Sequence, residues 1–157
     1  MKAYLKEKLY YLKAAVFHPF DAFYEIRFRG RGSVPLAAVI LVLFGILQCV
    51  SYQYTGFVIN LNDLAAMNSV SIFLTWVLGF VLFIVSNWSV TTLLNGKGNL
   101  GDILKVTAYS LTPMICTLVF QVFASNFIIA EEAMIVYVIT GVGTVWSLFM
   151  LLAGVCV

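Results

Sequence analysis

Four long apolar stretches dominate the chain, at about residues 34–52, 72–94, 103–124 and 134–157. Each has the roughly 20 residues a helix needs to cross about 30 Å of hydrocarbon. The pattern therefore predicts four membrane-spanning helices. Ser33 stands where it can cap the first, and Pro35 falls in its first turn, where a missing N–H costs little. The second runs into Asn95-Gly96, a helix-stop signal. Asp102 is placed as a cap for the third. The spans hold a single charge, Lys105, close enough to the start of the third to snorkel to the interface.

The first thirty-three residues read differently. Leu5, Leu9, Leu12 and Val16 share one narrow helical face, bordered by Lys2, Lys6, Lys8 and Lys13. Such a helix lies in the membrane interface with its lysines on lipid phosphates. His18-Pro19 breaks it, and Pro19 starts a second short helix. Phe17, Phe20, Tyr24 and Phe28 recur along that helix at helical spacing, and Glu25 and Arg29 are positioned to pair. The chain thus divides into an arm, residues 1–33, and a transmembrane helical domain, residues 34–157. Lipid anchoring explains the arm, and so does docking on another protein through Phe17, Phe20, Tyr24, Phe28, Arg27, Arg29 and Arg31. The two roles are compatible.

Composition agrees with the span pattern. Of 157 residues, 62% are hydrophobic and 10% charged, whereas a soluble domain carries about 25% charge. A core of this size cannot hide that much apolar surface. Charge then orients the spans. The arm has seven basic residues against three acidic ones. The segment from Gln53 to Ser71 carries only Asp63, the turn from Asn95 to Asp102 carries Lys97, and the segment from Ser125 to Ala133 carries only Glu131 and Glu132. This alternation puts the amino terminus and the second-to-third turn in the cytoplasm. An anionic cytoplasmic leaflet is one expected partner of the arm. No signal peptide is read ahead of the first apolar run, and no nucleic-acid partner is expected.

Polar residues within the spans have two readings. Asn87 and Thr91 lie in the second, Tyr109, Pro113 and Gln121 in the third, Gly143 and Ser147 in the fourth. Small residues let helices approach, and hydroxyl and amide groups bond across them. Pro113 frees a carbonyl that Thr112 or Tyr109 can help satisfy. The other reading is a polar path for a solute, lined by Asn87, Thr91, Tyr109 and Gln121. Ion and proton paths usually carry a buried charged group, and none falls at mid-membrane. Catalysis has less support. His18, the one histidine, lies in the arm, away from any nucleophile, and Cys49, Cys116 and Cys156 stand singly in apolar runs. The glycines of Asn95–Asp102 lack phosphate-loop spacing. No enzyme, metal or cofactor is expected.

Three segments resemble the Yip domain (Ypt-interacting protein) family: HPFDAFYEI in the arm, NWSVTTLLNGKGNLGDIL at the end of the second span, and AYSLTP in the third. The strongest part is the polar turn followed by Tyr109-Ser110-Leu111-Thr112-Pro113. The resemblance covers roughly Phe17 to Val157 and implies an all-α polytopic bundle of five spans with a cytoplasmic amino terminus. Four are visible, so a fifth would follow Val157. Eukaryotic relatives associate with Rab-type small GTPases, but this chain lacks their long polar cytoplasmic domain, so GTPase binding is not carried over. The short arm is similar to bacterial members, which implies the bacterial plasma membrane. The expected function is a non-catalytic accessory or scaffold subunit of another membrane protein complex, a transporter being one candidate. The alternative is a small-solute transporter or channel acting as an oligomer.

Overall fold

The structure is a computed structural model, described for residues 14–30, 32–60, 62, 67–93 and 99–156. Residues 1–13, with the expected Leu5–Val16 face and its lysines, lie largely outside that range. So do Arg31, Asp63, Asn95-Gly96 and Lys97.

The described chain is helical and contains no strand. Residues 14–17 are helical and stop at His18. Helix α1, Pro19–Phe28, starts with Pro19 in its first turn. It ends at Gly30, whose φ of 61° is the left-handed turn that glycine adopts without a Cβ penalty. Helices α2, Val34–Tyr54, and α3, Ser69–Leu93, are the first two spans. The third span is α4, Leu100–Ser110, followed by α5, Thr112–Ala124. A single 3₁₀ turn, Ala130–Glu132, leads into α6, Ala133–Cys156. Four helical stretches are long and apolar enough to cross a membrane, so the fold is an all-α polytopic membrane bundle.

Three sequence expectations need correction. Asp102 is not the cap of the third span. The extended residue before the helix is Asn99, whose carbonyl accepts from the N–H groups of Asp102 and Ile103, so Asp102 sits one turn inside. The third span is also not one continuous helix. Its backbone ladder is interrupted at Leu111, because Pro113 has no N–H to return to Tyr109. Lys105, finally, does not reach outward: its side chain is 8% exposed and its Nζ lies 2.6 Å from Asp102 Oδ1. Pairing with Asp102 one turn away satisfies the ammonium beneath the connector that carries Gly32.

The third span is the centre of the bundle. Half of its most apolar window is buried, against 6% for the second span. Among the described residues, helix α4 touches α1, α2, α3 and α6, whereas α3 packs mainly on α2 and α4. Between α2, α3 and the third span lies an apolar core of Ala37, Leu41, Phe44, Ile84, Leu111 and Leu118. Phe44 meets Trp76 and Phe80 edge-on at 5.6 and 5.5 Å. A second core joins the arm to the bundle: Ala15, Ala22, Phe23 and Ile26 pack with Val106, Tyr109 and Met150. Gly154 makes this docking close, since a Cβ there would lie 2.5 Å from Val106 and 3.1 Å from Phe23.

Candidate functional site

The arm has two faces with opposite fates. Phe23 and Ile26 are fully buried, while Phe17, Phe20, Tyr24 and Phe28 are each more than half exposed. The spacing 17, 20, 24, 28 follows one side of a helix, so docking through the other side holds the aromatic stripe outward. Its outer rings touch one another and the last span. Tyr24 and Phe28 lie 4.6 Å apart between centroids, and Phe20 meets Phe149 edge-on at 6.2 Å. Trp146 Nε1 donates to the Val16 carbonyl at 3.1 Å, fastening the start of the arm to α6. Arg27 lies over the Phe28 ring at 5.4 Å. Arg29 pairs with Glu25 at 3.2 Å, an exposed i,i+4 pair worth a few tenths of a kcal/mol.

Where the arm crosses the bundle, a cavity of about 140 Å³ opens at the ends of three spans. Its polar wall is Arg27 of α1, Asn87 and Thr91 of α3, and Asp102 of α4. Its apolar wall includes Ile26, Val106, Gly154 and Val155. Thr91 Oγ1 donates to the Asn87 carbonyl at 2.8 Å. A Cβ on Gly32 would lie 2.6 Å from Lys105 Cδ and 2.8 Å from Ile26, so the connector from arm to α2 closes over the buried lysine.

A second cavity, of about 290 Å³, opens at the opposite end of the bundle, with Gln48, Tyr52, Asn60, Trp76, Gln121 and Tyr137 among its walls. The four groups set out as one candidate path are therefore apart. Asn87 and Thr91 belong to the arm-end cavity, Gln121 belongs to the far one, and Tyr109 is fully buried against the arm. The apolar core around Leu41, Phe44 and Leu118 stands between the cavities.

The remaining intramembrane candidates meet between α5 and α6. Thr112 Oγ1 donates to the Tyr109 carbonyl at 2.8 Å, taking the bond that Pro113 cannot supply. Met114 N–H donates to Ser147 Oγ at 3.1 Å. A Cβ on Gly143 would overlap Thr117. The far ends of the spans are tied in a similar way: Gly56 N–H donates to Ser125 Oγ at 2.9 Å and Asn126 Nδ2 to the Tyr54 carbonyl at 3.1 Å.

Sequence reasoning missed the arm-end cavity. Spacing alone puts Arg27 on a partner surface, Asn87 and Thr91 in packing or a polar path, and Asp102 at a helix cap. The available signal was their shared level, since all stand within two turns of a span end or arm junction. Among the described residues, no group of three His, Cys, Asp or Glu side chains is placed to hold a metal. His18 is exposed at the break before α1.

A four-span helical bundle, its arm folded back across one end, defines a polytopic membrane protein. The Yip1 domain model matches residues 13–157, nearly the whole chain, and the protein belongs to that family. No curated protein and no solved structure matches it.

Proposed function

We propose that this protein is a non-catalytic accessory or scaffold subunit that binds another integral membrane protein, a transporter being one candidate, through the outward face of its arm. The carrying observation is the docked arm itself. A segment that only anchored to lipid would not need Phe23, Ile26 and Ala22 built into the bundle core or Trp146 fastening its start. Rigid docking lowers the ordering cost of presenting Phe20, Tyr24 and Phe28 to a partner, and aromatic side chains are enriched at the energetic centres of interfaces. In this reading the arm end faces the cytoplasm of a bacterial plasma membrane, as the basic arm favours.

The transporter alternative has less support, because its expected lining groups divide between two cavities with an apolar core between them. A photo-cross-linking amino acid at Phe20 or Tyr24, compared with one at Val81 on the exposed face of α3, tests the proposal. A discrete protein adduct from the arm, absent from α3, is expected. Lipid adducts alone at all three positions would refute partner docking.

A further inference from the structure

The arm-end cavity has a larger apolar neighbour along α3. Among the described residues, helix α3 packs mainly on α2 and α4 and at most marginally on α6. Further along the same side of α3 lies an apolar cavity of about 330 Å³, lined by Thr75, Trp76, Gly79, Phe80 and Phe83, with Leu151 of α6 opposite. Gly79, Phe83, Asn87 and Thr91 recur every fourth residue, so they form one stripe on α3. Leu151 and Val155 do the same on α6. The two cavities thus lie in line between the same two helices. From Asn87 to Thr75 the stripe descends about 18 Å at 1.5 Å per residue, about the depth of one leaflet of hydrocarbon, ~15 Å.

We propose that this cleft holds one phospholipid, with its phosphodiester and head group in the arm-end cavity and an acyl chain along the α3–α6 groove. The lining changes character where such a lipid does. Arg27, Asn87, Thr91 and Asp102 surround the mouth, and only Thr75 is polar among the lining residues of the groove beyond it. The charges select the class of head group. Asp102 is already bonded to Lys105, so the three charged groups Arg27, Asp102 and Lys105 carry a net single positive charge. That balance suits one phosphodiester anion on the Arg27 guanidinium, whose fork matches phosphate geometry. The second carboxylate oxygen of Asp102 and the side-chain amide oxygen of Asn87 can accept hydrogen bonds, the Asn87 backbone carbonyl being taken by Thr91. A head group bearing a donor, the hydroxyls of phosphatidylglycerol or the ammonium of phosphatidylethanolamine, completes the site, and phosphatidylcholine brings no such donor. A Cβ on Gly79 would meet nothing within 4 Å, so the groove wall is open at that point.

The test uses the full chain in detergent, with lipid retention read by native mass spectrometry. Phosphatidylglycerol, phosphatidylethanolamine and phosphatidylcholine of matched chains are compared, with sn-glycerol 3-phosphate as the soluble phosphate source. The first two lipids are expected to be retained about tenfold better than the third, a difference equivalent to one good charge-assisted contact. Arg27→Gln lowers their retention about tenfold, whereas Arg29→Gln, altering a residue paired with Glu25 outside the cavity, leaves it unchanged. Gly79→Leu obstructs the groove and lowers retention of all three lipids without lowering the melting temperature, because the added side chain enters open space. Equal retention of the three lipids overturns the proposal, as does unchanged retention in either Arg27→Gln or Gly79→Leu. A loss in Arg29→Gln equal to that in Arg27→Gln reduces the effect to general surface charge. Stabilisation by glycerol 3-phosphate as strong as by lipid assigns the site to a soluble phosphate ester instead. Arg27 borders both surfaces, but Phe20 and Tyr24 lie outside the cleft lining, so cross-linking at those two positions and lipid retention in the cleft fail independently.

Discussion

Lys105 Nζ lies 2.6 Å from Asp102 Oδ1, with the lysine side chain 8% exposed and the aspartate 23%. The two are three residues apart on α4, in its first two turns, where the helix dipole also favours the carboxylate. The pair sits beneath the connector that carries Gly32, at the point where arm, α2 and α4 converge.

Loss of either partner should be unequal. Asp102→Asn leaves an ammonium buried without its counter-charge and is expected to cost about 3 kcal/mol or more. Lys105→Met leaves a carboxylate that is partly exposed and still near a helix N-terminus, so about 1 kcal/mol is expected. The double variant should be more stable than Asp102→Asn alone. Thermal unfolding in one detergent checks this order, and equal loss in the two single variants would show that the pair is solvated.

Gly143→Ala is expected to push α6 away from α5, because the new methyl group overlaps Thr117. Overpacking of this kind costs about 1–3 kcal/mol. Thr117→Ala in the same chain removes the colliding Cγ2 and Oγ1 and should restore part of the loss. Additive losses in the double variant, measured by denaturant titration, would mean that the two residues do not meet.

Ser147→Ala removes the acceptor of the Met114 N–H, one turn after the break in the third span. A loss of about 1 kcal/mol is expected. Hydrogen exchange should show faster exchange at the Met114 amide than at Leu118, deeper in α5. Unchanged exchange at Met114 would show that Ser147 is not its partner in the membrane.

Orientation is open to a direct experiment. In a chain without its native cysteines, a cysteine replacing Glu131 should react with an impermeant maleimide added to intact cells. One replacing Arg29 should react only after permeabilisation. Both positions are exposed in the structure. The reverse pattern would put the arm outside and remove the cytoplasmic partner from the proposal.

Much of the architecture was readable in the chain. The bilayer requires about 20 apolar residues and internally bonded backbone for each crossing, so hydropathy alone identified four spans. Their ends moved by a few residues: α3 starts at Ser69 rather than 72, and α4 at Leu100 rather than 103. These shifts arise because polar residues at a span end can continue a helix outside hydrocarbon. Pro19 and Pro35 announced helix starts for local steric reasons. Periodicity also grouped Phe17, Phe20, Tyr24 and Phe28 on one side of the arm.

Lys105 is where local reading stopped. By itself the sequence determined a membrane helical bundle, its Yip family motifs and a single charge within the apolar runs, because these depend on residue type and near neighbours. Only the tertiary structure decided that Lys105 turns inward to Asp102 and that Asn87 and Thr91 are separated from Gln121 by an apolar core. It also brought Arg27 of the arm to the cavity mouth. The three-residue spacing of Asp102 and Lys105 permits their pair, but contacts across sixty or more residues, the connector at Gly32 over Lys105 and Arg27 beside Asn87, bury it and shape the cavity.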